Sequence, residues 1–172
     1  MGPNMPSDLS FPQLVPIVQH VDERGSLSKL SVNQDEREFG PIAELLFSRS
    51  TRGVIRGFHY QVQRSSGPKL VWCVDGKVED ASFHVPSASN EVPKLWTYRL
   101  TAGGPALLLP AGFAHAFECL TASCTLIYAL SKKYDASEDR VINYASLGKW
   151  WTTTNPVVSD RDRTAVELGH LD

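Results

Sequence analysis

Short apolar segments separated by turns fill the chain between residues 45 and 130. They are rich in Val, Leu, Ile, Phe, Tyr and Trp, and Gly, Pro, Ser and Asn lie between them. The segments are LLFSRS (45–50), VIRGFHYQV (54–62), KLVWCVDG (69–76), KVEDASFHV (77–85), KLWTYRL (94–100), ALLLP (106–110), HAFECL (115–120) and CTLIYAL (124–130). Apolar runs of this length and regular spacing predict antiparallel strands in an all-β sandwich or barrel, rather than βαβ units.

The regions outside these segments predict short helices and a loose arm. Residues 31–42 favour one short helix that Gly40-Pro41 would end, because a residue before proline is pushed out of the helical conformation. Residues 159–168 favour a second helix, and residues 1–12 are polar and Pro-rich, as expected of a loose N-terminal arm. The whole chain, 1–172, therefore predicts a single all-β domain, a cupin-type jelly-roll barrel with short peripheral helices.

Composition and charge exclude several function classes. The 172 residues carry 17 Lys plus Arg and 19 Asp plus Glu, so the net charge of −2 provides no basic surface for nucleic acid. No apolar run approaches the about 20 residues of a membrane span, and the first ten residues lack the basic and apolar regions of a secretion signal. Cys73, Cys119 and Cys124 are odd in number and lack Cys-x-x-Cys spacing, which predicts reduced thiols and a cytoplasmic location.

The segment RGVIRGFHYQ (52–61) carries the first candidate for chemistry. In strict strand alternation Arg56 and His59 point to opposite faces, but Gly57 between them is typical of a β-bulge. A bulge would turn both side chains into one cavity. The alternative is a hydrogen-bonded core histidine beside a surface arginine.

Other polar residues lie in the two segments that follow. Lys69 opens a strand, where a lysine is usually solvated, and Val78, Asp80, Ser82 and His84 share one face of the next strand. That face either lines a wet cavity or points to solvent.

Three more residues have both a structural and a functional interpretation. His115 lies on one face with Phe113 and Phe117, so it is either a satisfied core histidine or a cavity residue. Tyr128 is either a core tyrosine or a phenol that donates a proton into a cavity. Asp162 lies in SDRD (159–162), where the simplest role is that of an acid in the first turn of a helix.

The histidine spacing argues against a metal site. A catalytic metal usually needs about three protein ligands, and metal-binding barrels of this type commonly carry a His-x-His pair. Here the corresponding residues are His59-Tyr60-Gln61, and His115 has no histidine two residues away. Nucleophilic hydrolysis also has no support, because the chain contains neither Gly-x-Ser-x-Gly nor a phosphate loop.

Several segments taken together resemble one known family. The segments DERG (22–25), VIRGFHYQ (54–61), PKLVWCVDGKVED (68–80), PAGFAHAF (110–117), LIYAL (126–130) and SDRD (159–162) occur in order over about residues 20–165. Each is weak alone, but together they resemble the dTDP-4-dehydrorhamnose 3,5-epimerase family of cupin-like nucleotide-sugar epimerases. The resemblance implies an epimerase that inverts C3, C5 or both in a nucleoside-diphosphate 4-keto-6-deoxyhexose, without metal or redox cofactor.

The resemblance also implies roles for particular residues. His59 matches the catalytic base, Asp162 the acid paired with it, and Tyr128 the proton donor on the opposite side of the sugar. The remaining matches are substrate contacts: Lys69 and His115 in the active site, Arg56 and Arg24 at the diphosphate, and Tyr134 near the nucleotide base. Family dimers exchange N-terminal strands, so the resemblance implies a homodimer in which Arg24 reaches the partner subunit's site.

The nucleotide end of the family pattern is altered in this chain. Polar contacts are usual in the family where this chain has Glu44-Leu45-Leu46, and an acidic residue and an arginine are usual where it has His84-Val85-Pro86. The base and the inverted carbon therefore stay open. Two further readings are a ketoisomerase of a nucleotide 4-keto sugar and a non-catalytic barrel that binds sugar nucleotides.

Overall fold

The regular secondary structure of the described residues is almost entirely β-strand. A computed structural model describes residues 10–31, 39–87, 92–148 and 150–170. The strands are β1 (Gln13–Val15), β2 (Val18–Asp22), β3 (Gly25–Lys29), β4 (Glu44–Thr51), β5 (Ile55–Gln61), β6 (Lys69–Asp75), β7 (Lys77–His84), β8 (Trp96–Thr101), β9 (Ala106–Leu109), β10 (Phe113–Cys119), β11 (Ser123–Leu130) and β12 (Asp139–Val141). The helices among these described residues are one α-helical turn, α1 (Asp160–Arg163), and two 3-10 turns, Gln63–Ser65 and Leu168–His170. None of the helices in the described part of the chain is long and apolar enough to cross a membrane.

Two five-stranded antiparallel sheets form the body of the fold. The first sheet has the order β1-β9-β6-β11-β4, and the second has the order β12-β5-β10-β7-β8. Strands β2 and β3 form a separate hairpin. Chain neighbours such as β4 and β5 lie in different sheets, and this crossing is the jelly-roll arrangement that the sequence predicts.

Apolar residues fill the space between the sheets and cover both outer faces. Inward residues of the two sheets, among them Val71, Leu126, Val78 and Phe117, form the central core. A second cluster around Phe58 and Phe83 packs outside the second sheet beneath the C-terminal segment, and a third cluster covers the first sheet. Strand β10 is buried along its whole length, which explains why its sequence does not alternate.

The eight strands that the sequence predicts are all confirmed as β4 to β11. The C-terminal helix begins after Ser159 as expected but ends after one turn. The helix expected over residues 31–42 lies mostly outside the described residues, and residues 39–42 are not helical. Residues 1–9 of the predicted arm also lie outside them. At the end of that arm Phe11 stacks on Trp96, and Tyr98 donates a hydrogen bond to the Pro12 carbonyl.

Candidate active site

A bulge in β5 turns two predicted site residues towards the barrel interior. His59 lies opposite His115 of β10, but Arg56 lies opposite Phe117. An advance of three residues along β5 therefore corresponds to an advance of two residues along β10. Gly57 allows this irregularity, because its φ is +119° and a Cβ atom there would lie 2.4 Å from the carbonyl oxygen of His115. The sequence-based prediction of a bulge is confirmed.

Helix α1 brings a buried carboxylate to His59. Nε2 of His59 lies 2.6 Å from Oδ1 of Asp162, whose side chain is only 3% exposed, whereas that of His59 is 40% exposed. The Gly57 N–H donates to the other carboxylate oxygen, and the Ser159 hydroxyl caps the helix by accepting from the Asp162 N–H. Asp162 is therefore both the first-turn acid and the partner of His59.

The electrostatics of this pair suit a general base. Burial raises the pKa of Asp162, but the His59 hydrogen bond and charge and the Gly57 N–H outweigh burial and hold that pKa below its usual value. The carboxylate is thus ionised at neutral pH, and it can only accept from His59 Nε2–H. Nδ1 of His59 is then the ring atom that can take up a proton.

Asp80 and His115 form a second, fully buried pair beside this dyad. Nε2 of His115 lies 2.6 Å from Oδ2 of Asp80, and neither side chain is more than 5% exposed. Burial raises the pKa of Asp80 and lowers the pKa of His115. His115 is thus both a satisfied buried histidine and a residue of the barrel interior.

Tyr128 faces these histidines from the opposite sheet. It lies on β11, and its ring centroid is 5.9 Å from that of His115. Burial, and next the negative charge of Asp80, raise the pKa of Tyr128 well above its usual value. The phenol therefore keeps its proton at neutral pH, as a proton donor must.

Lys69 places a cation at the end of the same interior. It begins β6 and shares the inward face with Val71 and Cys73 of the central core. Burial lowers the pKa of Lys69 to about 8, although the nearby charges of Asp80 and Asp139 oppose this shift. The ammonium group is thus protonated at neutral pH but poorly solvated, unlike the solvated lysine that is usual at a strand end.

A small open pocket lies at the mouth of the barrel, and its lining includes Lys69, Gln61 and Tyr134. Tyr134 is held by its N–H, which donates to the Glu44 carboxylate 2.7 Å away. Arg56 lies on β5, where its Nε donates to the hydroxyl of Ser50 on β4 over 3.0 Å. The structure therefore gathers seven of the eight predicted site residues around the interior and its mouth.

Arg24 is the exception. It lies in the turn of the β2–β3 hairpin, is strongly exposed, and pairs with Asp22 rather than with another predicted site residue. The site also contains Asp80, which was not among the predicted site residues, although the alternation of β7 already placed it on a shared polar face. In the described part of the chain, no group of three or more His, Cys, Asp or Glu side chains is arranged to hold a metal ion.

A barrel that holds a His–Asp dyad, a half-buried lysine and a facing phenol defines a class of enzyme that moves protons on a bound small molecule. Comparison with known proteins identifies the class more closely. The family model for dTDP-4-dehydrorhamnose 3,5-epimerase matches residues 12–170. The chain belongs to this family, whose members are isomerases.

Relatives of both regiochemical types match most of the chain. A dTDP-4-dehydrorhamnose 3,5-epimerase of Shigella flexneri is 34% identical over 149 residues, which cover 82% of each chain. A dTDP-4-dehydro-6-deoxyglucose 3-epimerase of Streptomyces bikiniensis is 31% identical over 159 residues, covering 88% of this chain and 81% of that protein.

Two solved structures are similar in fold over nearly the whole chain. The 3,5-epimerase of Legionella pneumophila in complex with dTDP-4-keto-L-rhamnose has a TM-score of 0.84 at 25% identity, covering 94% of this chain and 89% of that one. The 3'-monoepimerase of Streptomyces bikiniensis in complex with dTDP-quinovose has a TM-score of 0.83 at 29% identity, covering 93% and 86%. These similarities confirm the cupin-like jelly roll.

Proposed function

We propose that this protein epimerises a dTDP-linked 4-keto-6-deoxyhexose at C3, C5 or both. The His59–Asp162 dyad carries the proposal, because it is a base with a buried carboxylate partner, directed into a barrel with a neutral phenol on the opposite wall. The substrate class follows from the family of this chain and from the dTDP-sugars bound to its structural relatives.

The first step is proton abstraction next to the ketone. The carbonyl at C4 makes the hydrogens on C3 and C5 acidic, so a histidine is suited to removing one of them as a general base. Nδ1 of His59 takes the proton, and Asp162 stabilises the imidazolium and fixes its orientation. The C–H electron pair forms the double bond of an enolate, and the Lys69 ammonium stabilises the negative charge that develops on the enolate oxygen.

The second step returns a proton from the other face of the sugar. Tyr128 is on the first sheet and His59 on the second, so the phenol can protonate the enolate carbon opposite to the base. The configuration at that carbon is inverted, and exchange with solvent then removes the extra proton from His59 and returns one to Tyr128. Arg56, His115 and Tyr134 contact the diphosphate, the sugar and the nucleotide base in this proposal.

Solvent deuterium exchange tests this function. The expected result is that a dTDP-4-keto-6-deoxyhexose incubated with the protein in heavy water gains deuterium at C3, C5 or both, and that His59→Ala abolishes this labelling while dTDP still binds. The labelled position identifies the inverted carbon. Movement of the carbonyl along the sugar would instead identify a ketoisomerase. Absence of label with 4-keto sugars linked to several different nucleotides would favour a non-catalytic barrel that binds sugar nucleotides.

We also propose a cytoplasmic homodimer in which the N-terminal strands are exchanged. The β2–β3 hairpin exposes Val18, Val21 and Leu27, and the edge strand β4 of the first sheet exposes Leu45 and Phe47. Two apolar surfaces on one chain, one on a hairpin and one along a sheet edge, are suited to covering each other between two copies. Exchange of the hairpin would also carry Arg24 into the partner subunit's site. The three unpaired cysteines fit the reducing cytoplasm.

A further inference from the structure

Strand β7 carries a buried hydroxyl group next to the active site. The proposed mechanism gives this hydroxyl no role. Val78, Asp80 and Ser82 alternate along the inward face, because Val78 belongs to the central core while Ala81 and Phe83 belong to the outer cluster. Ser82 is 0% exposed. It is therefore a side chain of the barrel interior and not of the surface.

Ser82 lies in one row with the active-site histidines. In the register of the second sheet, His59 is opposite His115, and His115 is opposite Ser82. Neighbouring strands are about 4.8 Å apart, so Ser82 lies about 10 Å from His59 with His115 between them. A pyranose ring over His115 would thus have the base at one side and the Ser82 hydroxyl at the other.

Two polar atoms on this face have no partner among the described residues. They are the Ser82 hydroxyl oxygen and Oδ1 of Asp80, and both are fully buried. A buried polar atom that lacks a hydrogen bond costs about 1–3 kcal/mol, so native structures retain few of them. An alanine would fill nearly the same space as Ser82 without this cost. The pair is the kind of site that a ligand completes.

We propose that Ser82 is a further substrate-binding residue that, together with Asp80 Oδ1, holds one ring hydroxyl of the hexose. A sugar hydroxyl both donates and accepts, so it can donate to Asp80 Oδ1 while accepting from the Ser82 O–H. The other carboxylate oxygen of Asp80 is already engaged by His115, which fixes its orientation. This inference rests on the proposed function, because it requires a sugar in the barrel.

The test compares Ser82→Ala with the parent by calorimetric titration. The ligands are dTDP alone and dTDP-6-deoxyglucose, which lacks the C4 ketone and so is not turned over. We expect Ser82→Ala to bind the nucleotide sugar roughly five- to tenfold more weakly, which corresponds to one hydrogen bond, and to bind dTDP as the parent does. Its thermal stability should equal or exceed that of the parent, because an unpaired buried hydroxyl has been removed.

Ser123→Ala is the matched control, since Ser123 contacts Asp75 at the opposite end of the barrel, and it should bind both ligands as the parent does. Unchanged affinity of Ser82→Ala for the nucleotide sugar would overturn the inference. A fall in its stability together with weaker binding of both ligands would also overturn it, because Ser82 would then be structural. If the parent itself binds neither ligand, the proposed function fails first and this inference fails with it.

Discussion

Lys69 is the residue at which the requirements of catalysis and of folding stability conflict most. Its pKa falls from 10.5 to about 8 through burial, so below pH 8 the folded protein holds a poorly solvated charge that the unfolded chain solvates freely. We expect Lys69→Met to abolish epimerisation and to increase the free energy of unfolding by about 1–3 kcal/mol at pH 7. Chemical denaturation and the deuterium-exchange assay measure both effects.

The pH dependence follows from the same shift. Between pH 8 and 10.5 the unfolded lysine holds a proton that the folded one has lost, so the stability of the parent rises with pH over this range. The increase in the free energy of unfolding caused by Lys69→Met should therefore be greatest below pH 8 and shrink towards pH 10.5. An increase that does not change with pH would show that the lysine charge is not its cause.

Tyr128 should separate proton removal from inversion. The half-buried phenol remains protonated at neutral pH, and it faces His115 across the barrel. Tyr128→Phe keeps the ring but removes the proton, so we expect exchange catalysed by His59 to continue while net inversion falls by about 10²- to 10⁴-fold, the usual contribution of a general acid. Proton NMR in heavy water follows both rates. Inversion at the parental rate would require a donor other than Tyr128.

At the scale of elements, the single turn α1 supports the catalytic dyad. A four-residue helix has little stability of its own, and here the Ser159 cap, the Gly57 N–H and His59 hold it in place. Removal of an N-cap hydroxyl typically costs about 1 kcal/mol. We expect Ser159→Ala to lower kcat several-fold with little change in KM, because Asp162 loses its position while the substrate contacts remain.

A second variant distinguishes the cap from other effects of the substitution. Aspartate is also a good N-cap residue, so Ser159→Asp should restore most of the activity lost in Ser159→Ala. If Ser159→Asp is as impaired as Ser159→Ala, capping is not what the serine contributes. Steady-state kinetics of the three proteins, with thermal unfolding in parallel, provide the comparison.

The elements also show what sequence alone could predict. Strands β4 to β11 were predictable because each is an apolar segment bounded by turn residues, and the β5 bulge was predictable because a glycine interrupts a strand. Strands β1 and β12 were missed, since each has only three residues. The β2–β3 hairpin was missed because its apolar residues are exposed and mark no core face.

The site was less predictable than the strands. Strand alternation left the inward face of β7 undecided between cavity and solvent, and only packing against the other sheet shows that Asp80 and Ser82 are buried. The partnership of His59 with Asp162 joins residues 103 positions apart, and no local pattern connects them. The family resemblance supplied that pairing, and the structure adds its geometry.

At the scale of the whole molecule, Arg24 decides whether one chain makes a complete site. Within one chain its guanidinium pairs with Asp22 at the tip of an exposed hairpin, although the family match assigns it to the diphosphate. The two observations agree if the hairpin enters the partner subunit. Each site would then combine His59 of one subunit with Arg24 of the other, and a variant lacking either residue would be strongly impaired.

Mixed dimers test this arrangement. When Arg24→Ala and His59→Ala chains are co-expressed, half of the dimers should be mixed, and each mixed dimer has one site with both residues intact. Activity should therefore recover to about a quarter of the parental value per site, although each variant alone is nearly inactive. If Arg24 acts within its own subunit, no pairing restores an intact site and the mixture stays inactive. A monomer with full activity would exclude the exchanged dimer altogether, because its site would need nothing from a second chain.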